Sequence, residues 1–244
     1  MTHKTKGIVL RTIKYGETSL VVTVFTELFG IQTYMVNGVR SSKKSSAKAN
    51  YFQPGSILDM VVYHNEQKSM HRIKEFKWDV LFQSIFSDII KNNIALYLVE
   101  LLHKCLKQPE QNAPLFYFCE EMLLELDKAS KTVTANIPLF FALQLPYFFG
   151  FKIHDNYDAL HCVLDLQEGH FVEQNAANSI CIDGEPAHIT SQLLKVMQPY
   201  ELEEFKLQGK TRSILLTHYH HYYAFHIQEF GQMKTFAVLH EVLS

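Results

Sequence analysis

Alternation of apolar and polar side chains dominates the first third of the chain. Gly7–Tyr15 (GIVLRTIKY) interleaves apolar with basic residues, and Thr18–Thr26 (TSLVVTVFT) and Ile31–Val36 (IQTYMV) are rich in β-branched and aromatic ones. Ile57–His64 (ILDMVVYH) and Met70–Lys77 (MHRIKEFK) follow, with Gly16, Gly30, Gly38 and Pro54-Gly55 as punctuation. These runs predict five strands of a small all-β domain. A closed barrel is the expected form, because closure removes the edges that a short open sheet exposes. Strict alternation in the first strand sends Ile8, Leu10 and Thr12 one way and Val9, Arg11 and Ile13 the other. Neither face is cleanly polar, so the pattern does not determine the register.

From about Asp79 the period changes. Val80–Lys107 carries apolar residues at helical spacing, including Leu81, Ile85, Ile89, Leu98 and Leu102. Leu115–Lys128 repeats the pattern. Ile137–Phe151 (IPLFFALQLPYFFGF) is apolar nearly all round and predicts a buried helix that Pro146 kinks or ends. Lys152–His188 has weak strand or loop character. Thr190–Met197, Lys210–Glu229 and Thr235–Val242 read as helices. The expected fold class is α+β, with a β-barrel domain over residues 1–80 and a helical domain over 81–244.

Charge separates the same two parts. Residues 1–80 carry 12 Lys and Arg against 6 Asp and Glu, a balance of +6, while the remainder carries 11 against 19, or −8. A basic end on a chain of net charge −2 points to an anionic polymer as its partner. The densest basic stretch is Asn37–Gly55 (NGVRSSKKSSAKANYFQPG), which holds Arg40, Lys43, Lys44 and Lys48 and no acid. Cations on a loop of that kind neutralise phosphates. Barrels that hold nucleic acid add aromatic rings on which bases stack. Lys4, Lys6, Arg11 and Lys14 crowd the first strand, Lys68, Arg72, Lys74 and Lys77 border the fifth, and Tyr15, Tyr34, Tyr51 and Phe52 lie near these cations. Of the rings, Tyr34 and Phe52 have apolar neighbours and read as core. Lys68, Lys74 and Lys77 read as a solvated rim.

Other function classes find little support. No apolar run reaches membrane-spanning length, and the polar N-terminal stretch does not read as a signal peptide. Four cysteines (Cys105, Cys119, Cys162, Cys181) are too few for a disulfide framework, which together predicts a cytoplasmic protein. There is no Gly-x-Ser-x-Gly, no Walker-type loop and no His-Glu-x-x-His, so no enzyme site is advertised and none is expected. THYHHYYAFH (Thr217–His226) spaces His218 and His221 for one helix face, but no carboxylate joins them closely. It reads as a helix with aromatic residues inward and imidazoles outward.

The first 60 residues resemble the start of the RecO family of bacterial DNA repair and recombination mediators. The shared landmarks are Tyr15-Gly16-Glu17-Thr18, Phe25-Thr26, Gly30, Gly38 with its basic Ser-rich loop, and Phe52-Gln53-Pro54. Looser likeness continues through Gly150-Phe151, Leu164–Phe171 (LDLQEGHF) and Lys234–Leu239 (KTFAVL). The resemblance implies an N-terminal OB-fold, binding and annealing of single- and double-stranded DNA, and no catalytic chemistry or cofactor. It also implies two protein partners, RecR and the acidic-hydrophobic tail of the single-stranded-DNA-binding protein, and through them loading of RecA. The location implied is the cytoplasm, at the nucleoid, with no membrane contact. Arg11, Arg40, Lys43 and Lys44 are the candidate phosphate ligands, with Lys14, Tyr15 and Lys48 beside them. Lys206, Lys210 and Arg212, before Ile214 and Leu215, are candidates for the tail.

One departure stands out. Many family members carry two Cys-x-x-Cys pairs, a zinc signature that this chain lacks. Residues 152–188 therefore read as a metal-less finger, packed by Leu164, Leu166, Phe171 and Val172 instead. Two rival readings remain open: an adaptor or RNA-binding OB protein without an annealing role, and a metal-dependent enzyme built on the His-rich helix.

Overall fold

The computed structural model describes residues 1–39, 48–174 and 180–243. Its contacts divide into two compact units, Met1–Ser87 with Leu106–Leu124, and Asp88–Cys105 with Glu125–Ser244.

The first unit is a closed barrel of five strands, β1 (Thr2–Tyr15), β2 (Ser19–Thr26), β3 (Gly30–Val36), β4 (Ile57–Tyr63) and β5 (His71–Trp78), in the order β1-β2-β3-β5-β4. β1 is long enough to pair with β2 through its C-terminal half and with β4 through its N-terminal half. A short parallel contact, Tyr34↔His71 and Met35↔Arg72, joins β3 to β5 and closes the ring. This is the strand order of an OB-fold. Val9, Val22, Val24, Tyr34, Leu58, Met60 and Val62 fill the interior as the inward half of the alternation. Phe52 enters from the short 3₁₀ turn Asn50–Phe52 and closes one end. Tyr34 and Phe52 thus belong to the core, and Tyr51 stacks on Trp78 with ring centres 3.8 Å apart.

A helical segment completes this unit. Helix α2 (Ala113–Lys128) lays Phe116 on Phe25 of β2, covering the barrel wall that Ile8 and Phe25 would otherwise expose. Lys6 of β1 reaches Asp79 and Glu120, each at 2.9 Å. Bonds to Asp79 and then to Glu120 raise the Lys6 ammonium above its ordinary pKa.

In the second unit, α1 (Ile89–Cys105), α4 (Gly184–Leu194) and α5 (Gly209–His226) pack around α3 (Lys131–Gln144), and α6 (Lys234–Leu243) packs mainly on α1. The helical periodicity of Val80–Lys107 overran at its start. Asp88 accepts the backbone N–H groups of Ile90 and Lys91, so the helix begins only at Ile89. Ser130 caps α3 by accepting from Val133 N. The α-helix ends at Gln144, and Pro146 lies in the 3₁₀ turn Leu145–Phe149 that follows. The helix expected at Thr190–Met197 runs instead over Gly184–Leu194, with Pro186 in its first turn, where its missing N–H costs nothing.

The finger region forms a small sheet, β6 (His161–Asp165), β7 (His170–Glu173) and β8 (Cys181–Ile182), ordered β7-β6-β8. Leu164, Leu166 and Phe171 are fully buried and Val172 is half-buried. The side-chain amide of Asn156 imitates a neighbouring strand: it donates to Phe171 O and accepts from Phe171 N, both at 2.8 Å. Asp165 closes the β6–β7 turn by accepting from Gln167 N and Glu168 N. Among the described residues, no group of three His, Cys, Asp or Glu is placed to hold a metal ion. Asn156→Ala strips both bonds from a buried backbone, and urea titration is expected to show a loss of about 2 kcal/mol. A loss below about 0.5 kcal/mol would remove Asn156 from its place as the finger's staple.

Candidate nucleic-acid interface

A single irregularity builds the outer face of the barrel. The β1–β2 register runs Val9↔Val24 and then Arg11↔Thr23, so Leu10 is an extra residue in β1. Such a bulge inverts the alternation beyond it. Gly7 and Val9 face inward, and without the bulge Arg11 would follow them. With it, Thr12 takes the inward phase opposite the buried Val22, while Arg11, Ile13 and Tyr15 turn outward. The grouping of Val9 with Arg11 and Ile13 by simple alternation is therefore corrected.

Cross-strand registers then lay out a row. Ile13↔Val21, Val21↔Met35, Met35↔Arg72 and Arg72↔Tyr63 place five side chains side by side over all five strands. Neighbouring strands lie about 4.8 Å apart, so the row follows the curved barrel wall for roughly 19 Å. Arg11↔Thr23↔Thr33 runs parallel to it. Tyr15, Ile13 and Tyr63 keep 56%, 45% and 49% of their surface in water.

The barrel's cations divide sharply. On the face built by β4 with the adjoining halves of β1 and β5, Lys4 and Lys77 both bind Asp59, at 3.3 and 3.4 Å, and Lys6 binds Asp79 and Glu120. Lys74 pairs with its neighbour Glu75 at 3.4 Å. On the other face, Arg11, Lys14, Lys48, Lys68 and Arg72 are exposed, and no carboxylate among the described residues lies within ion-pair distance of any of them. Glu17 and Glu66 sit in the adjoining turns without pairing to them. One side of the barrel is internally neutralised and the other carries bare positive charge.

The basic loop springs from this second face. At its start, the buried Val39 donates its N–H to Thr18 O, and Ser19 donates its hydroxyl to Asn37 Oδ1. At its end, Thr12 donates to Phe52 O at 2.6 Å, and Gly55 N donates to Val9 O. The first anchor thus lies at the β1–β2 turn beside Tyr15, and the second along β1 at Val9 and Thr12, next to Arg11. Lys48 is exposed just before the second anchor. Arg40, Lys43 and Lys44 lie outside the described residues.

Beside the row, the β4–β5 loop and β5 frame a cleft of about 530 Å³ whose lining includes Met35, Tyr63, Lys68, Met70 and Arg72. His64 and His71 also line it, with ring centres 4.7 Å apart, and His64 stacks on Phe29 behind it at 3.9 Å. Burial, and then the neighbouring His3, hold His64 below its ordinary pKa, and burial lowers His71 likewise. Sequence reasoning missed this cleft. Its signal was Tyr63 and Met70 flanking the polar loop at either end of a strand boundary.

Comparison with known proteins gives the chain its relatives. The family model described as recombination protein O N terminal matches residues 1–80, and that described as recombination protein O C terminal matches residues 86–235. The chain belongs to the RecO family. Proteins named DNA repair protein RecO from Flavobacterium psychrophilum and Flavobacterium johnsoniae are 34% and 32% identical to it, each over 100% of both chains. The one from Bacteroides fragilis is 32% identical over 99% of both. The C-terminal match runs through the finger region, which this chain packs with Asn156, Asp165 and a hydrophobic core.

The RecO helical unit spreads its three candidate cations differently. Lys206 pairs with Glu203 at 3.3 Å, and Lys210 is exposed. Arg212 is half-buried and donates from Nη1 to Leu207 O at 2.5 Å; burial lowers its guanidinium pKa. It borders a crevice with Leu216, Phe236 and Leu239 of only about 10 Å³, room for a single water. A larger cleft of about 380 Å³ lies nearby, lined by His220, Phe230, Met233 and Phe236 among others. Lys104 donates to Phe230 O and lies 5.3 Å from the centre of that ring.

The His-rich helix is also sorted by the fold. Tyr219, Tyr222 and Tyr223 face inward as expected, but so do two of the imidazoles. His226 stacks on Phe151, and His220 takes the Tyr97 hydroxyl at 2.9 Å. Only His221 is fully exposed among the four.

Proposed function

We propose that this protein is a non-catalytic mediator of DNA repair that binds DNA strands on the unneutralised face of its barrel. The observation that carries this reading is the partition of the barrel's cations. A face whose Arg and Lys have no carboxylate partners, next to exposed rings and the anchors of a basic loop, is complementary to a phosphate backbone. The OB-fold presents its β2–β3 face and its β1–β2 and β4–β5 loops to oligonucleotides in unrelated proteins, and Lys68 stands on the second of these loops here. Gathering two strands on such a surface promotes their annealing without making bonds. Loading of RecA with RecR and the single-stranded-DNA-binding protein, in the cytoplasm at the nucleoid, belongs to the same reading. The cleft beside Lys104 is where an acidic-hydrophobic tail would seat, in preference to the narrow crevice at Arg212.

Fluorescence anisotropy with a labelled oligo-dT at two salt concentrations tests the central claim. Wild type is expected to bind and to weaken with salt. Arg11→Gln with Lys14→Gln should lower affinity about tenfold and reduce the salt slope by roughly one per cation removed. Lys4→Gln with Lys77→Gln, on the neutralised face, should change affinity less than about twofold, since those ammonium groups already have partners. Arg40→Gln, Lys43→Gln and Lys44→Gln together are expected to follow the first pair. Equal losses from both faces would refute the partition as the basis of binding. Absence of wild-type binding at either salt would favour the adaptor reading.

A further inference from the structure

We infer that the cleft between the β4–β5 loop and β5 seats an unpaired base of single-stranded DNA, so that the barrel face distinguishes a single strand from a duplex. The inference rests on the DNA-binding reading above and adds to it which form of DNA the face takes.

Three features of the cleft carry it. The first is its chemistry. Lys68 and Arg72, neither with a carboxylate in reach, stand at one wall, while Met35, Tyr63 and Met70 supply thioethers and a ring at the others. A duplex offers a flat protein face its phosphates and keeps its bases stacked inside. An unpaired nucleotide brings a phosphate and an open π-face together, and this lining has a counterpart for each: cations for the charge, and sulfur and tyrosine for the ring.

The second feature is size. About 530 Å³ lies within the range of clefts that bind small organic molecules.

The third is preformation. Lys68 is held on a tight turn in which Gln67 N donates to Asn65 Oδ1 and Lys68 N donates to Asn65 O, both at 3.0 Å. Arg72 is fixed by pairing to both β3 and β4. His64, which lines the cleft, is held by stacking on Phe29. The backbone of the cleft is thus set before a ligand arrives, which leaves only its exposed side chains to be ordered on binding. Tyr63 and Met70 meanwhile keep 49% and 41% of their surface in water, the area a base would cover. The cleft also lies at the end of the Ile13–Val21–Met35–Arg72–Tyr63 row, so a strand tracking the bare cations arrives at it.

The test compares three labelled ligands of one length: oligo-dT, the same strand with abasic sugars, and a duplex. Wild type is expected to prefer oligo-dT over the abasic strand by about tenfold, the effect of roughly one stacked base. Tyr63→Ala with Met70→Ala should abolish that preference and leave abasic and duplex binding unchanged. Lys68→Gln with Arg72→Gln should weaken all three ligands. Photocrosslinking from an iododeoxyuridine strand to wild type, with the adduct expected on Tyr63 or Met70, gives a readout that needs no variant to fold. A tenfold preference that survives in the Tyr63/Met70 variant, or an adduct elsewhere, overturns the cleft while leaving the DNA-binding reading in place. Equal wild-type affinity for oligo-dT and abasic strand does the same. Wild type that binds none of the ligands overturns both.

Discussion

Gly30→Ala is expected to lower the unfolding free energy by about 4 kcal/mol, close to the whole stability of many small domains. Two separate causes add at this position. Gly30 adopts φ +62, left-handed backbone in which a Cβ costs about 1–2 kcal/mol. An added Cβ would also lie 2.1 Å from the carbonyl oxygen of Glu110 and 2.7 Å from its carbon. Those are main-chain atoms, so no rotamer change relieves the clash. Either the β2–β3 turn or the segment before α2 has to move, and overpacking of that kind costs a further 1–3 kcal/mol or so. Gly16 provides the control. It has φ +57, yet nothing lies within 4 Å of its would-be Cβ, so Gly16→Ala should cost only about 1–2 kcal/mol. Urea titration of the two variants separates backbone strain from collision. Similar losses for both would mean that the close approach of Glu110 contributes nothing.

The second large effect is on pH. Stability is expected to fall by about 3 kcal/mol as pH drops from about 6.5 to about 4, with His220 as a main source. Burial, and then the nearby His221, lower the pKa of His220 to about 4. The Tyr97 hydroxyl is fully buried, burial raises its own pKa, and it shares a hydrogen bond with the imidazole Nε2 at 2.9 Å. The unfolded chain protonates its histidines near pH 6.5. A depressed folded pKa contributes stability that is complete above that value and is lost as pH falls toward the folded one. The slope approaches about 1.4 kcal/mol per pH unit for one proton taken up on unfolding. His218, His226, His64 and His71 are lowered by burial as well and act in the same direction. Glu100 prolongs the loss at lower pH. Burial pushes it up, but bonds from Thr235 and Lys234 outweigh that and hold it below its ordinary value. His220→Gln keeps a hydrogen-bonding partner for Tyr97 without titrating. Denaturation across pH should show a shallower profile for this variant, and identical slopes would exclude His220 as a source.

Much of the barrel was legible because it is local. Alternation marks β2 and β3 cleanly, glycines mark the turns, and apolar neighbours identify Tyr34 and Phe52 as core. What escaped depends on contacts between distant residues. Nothing in GIVLRTIKY announces that Leu10 is an extra residue, because a bulge is defined only against the partner strand. Lys4 and Arg11 look alike in sequence. Asp59 neutralises one and not the other, and that difference lies some fifty residues away. The short β5 was read as ending at Lys77, yet Trp78 continues it and stacks on Tyr51, a pairing over the barrel's end that no periodicity encodes. In the helical unit, apolar spacing placed the helices but not their first turns, since caps such as Asp88 override the period. The His-rich helix shows a similar limit. Its tyrosine stripe was visible, while the inward turn of His220 follows from a partner on α1.

The extra residue in β1 has one more consequence. It lets a single strand obey two independent selection pressures. Before Leu10, substitutions are judged by how well the barrel closes; after it, positions 11, 13 and 15 are judged by what they touch outside. Ligand preference can therefore drift among relatives without disturbing the interior. By the same logic, losing the residue at position 10 would remove the bulge and still leave Arg11 opposite Thr23 on the outside, whereas a residue inserted after it would turn Arg11 inward.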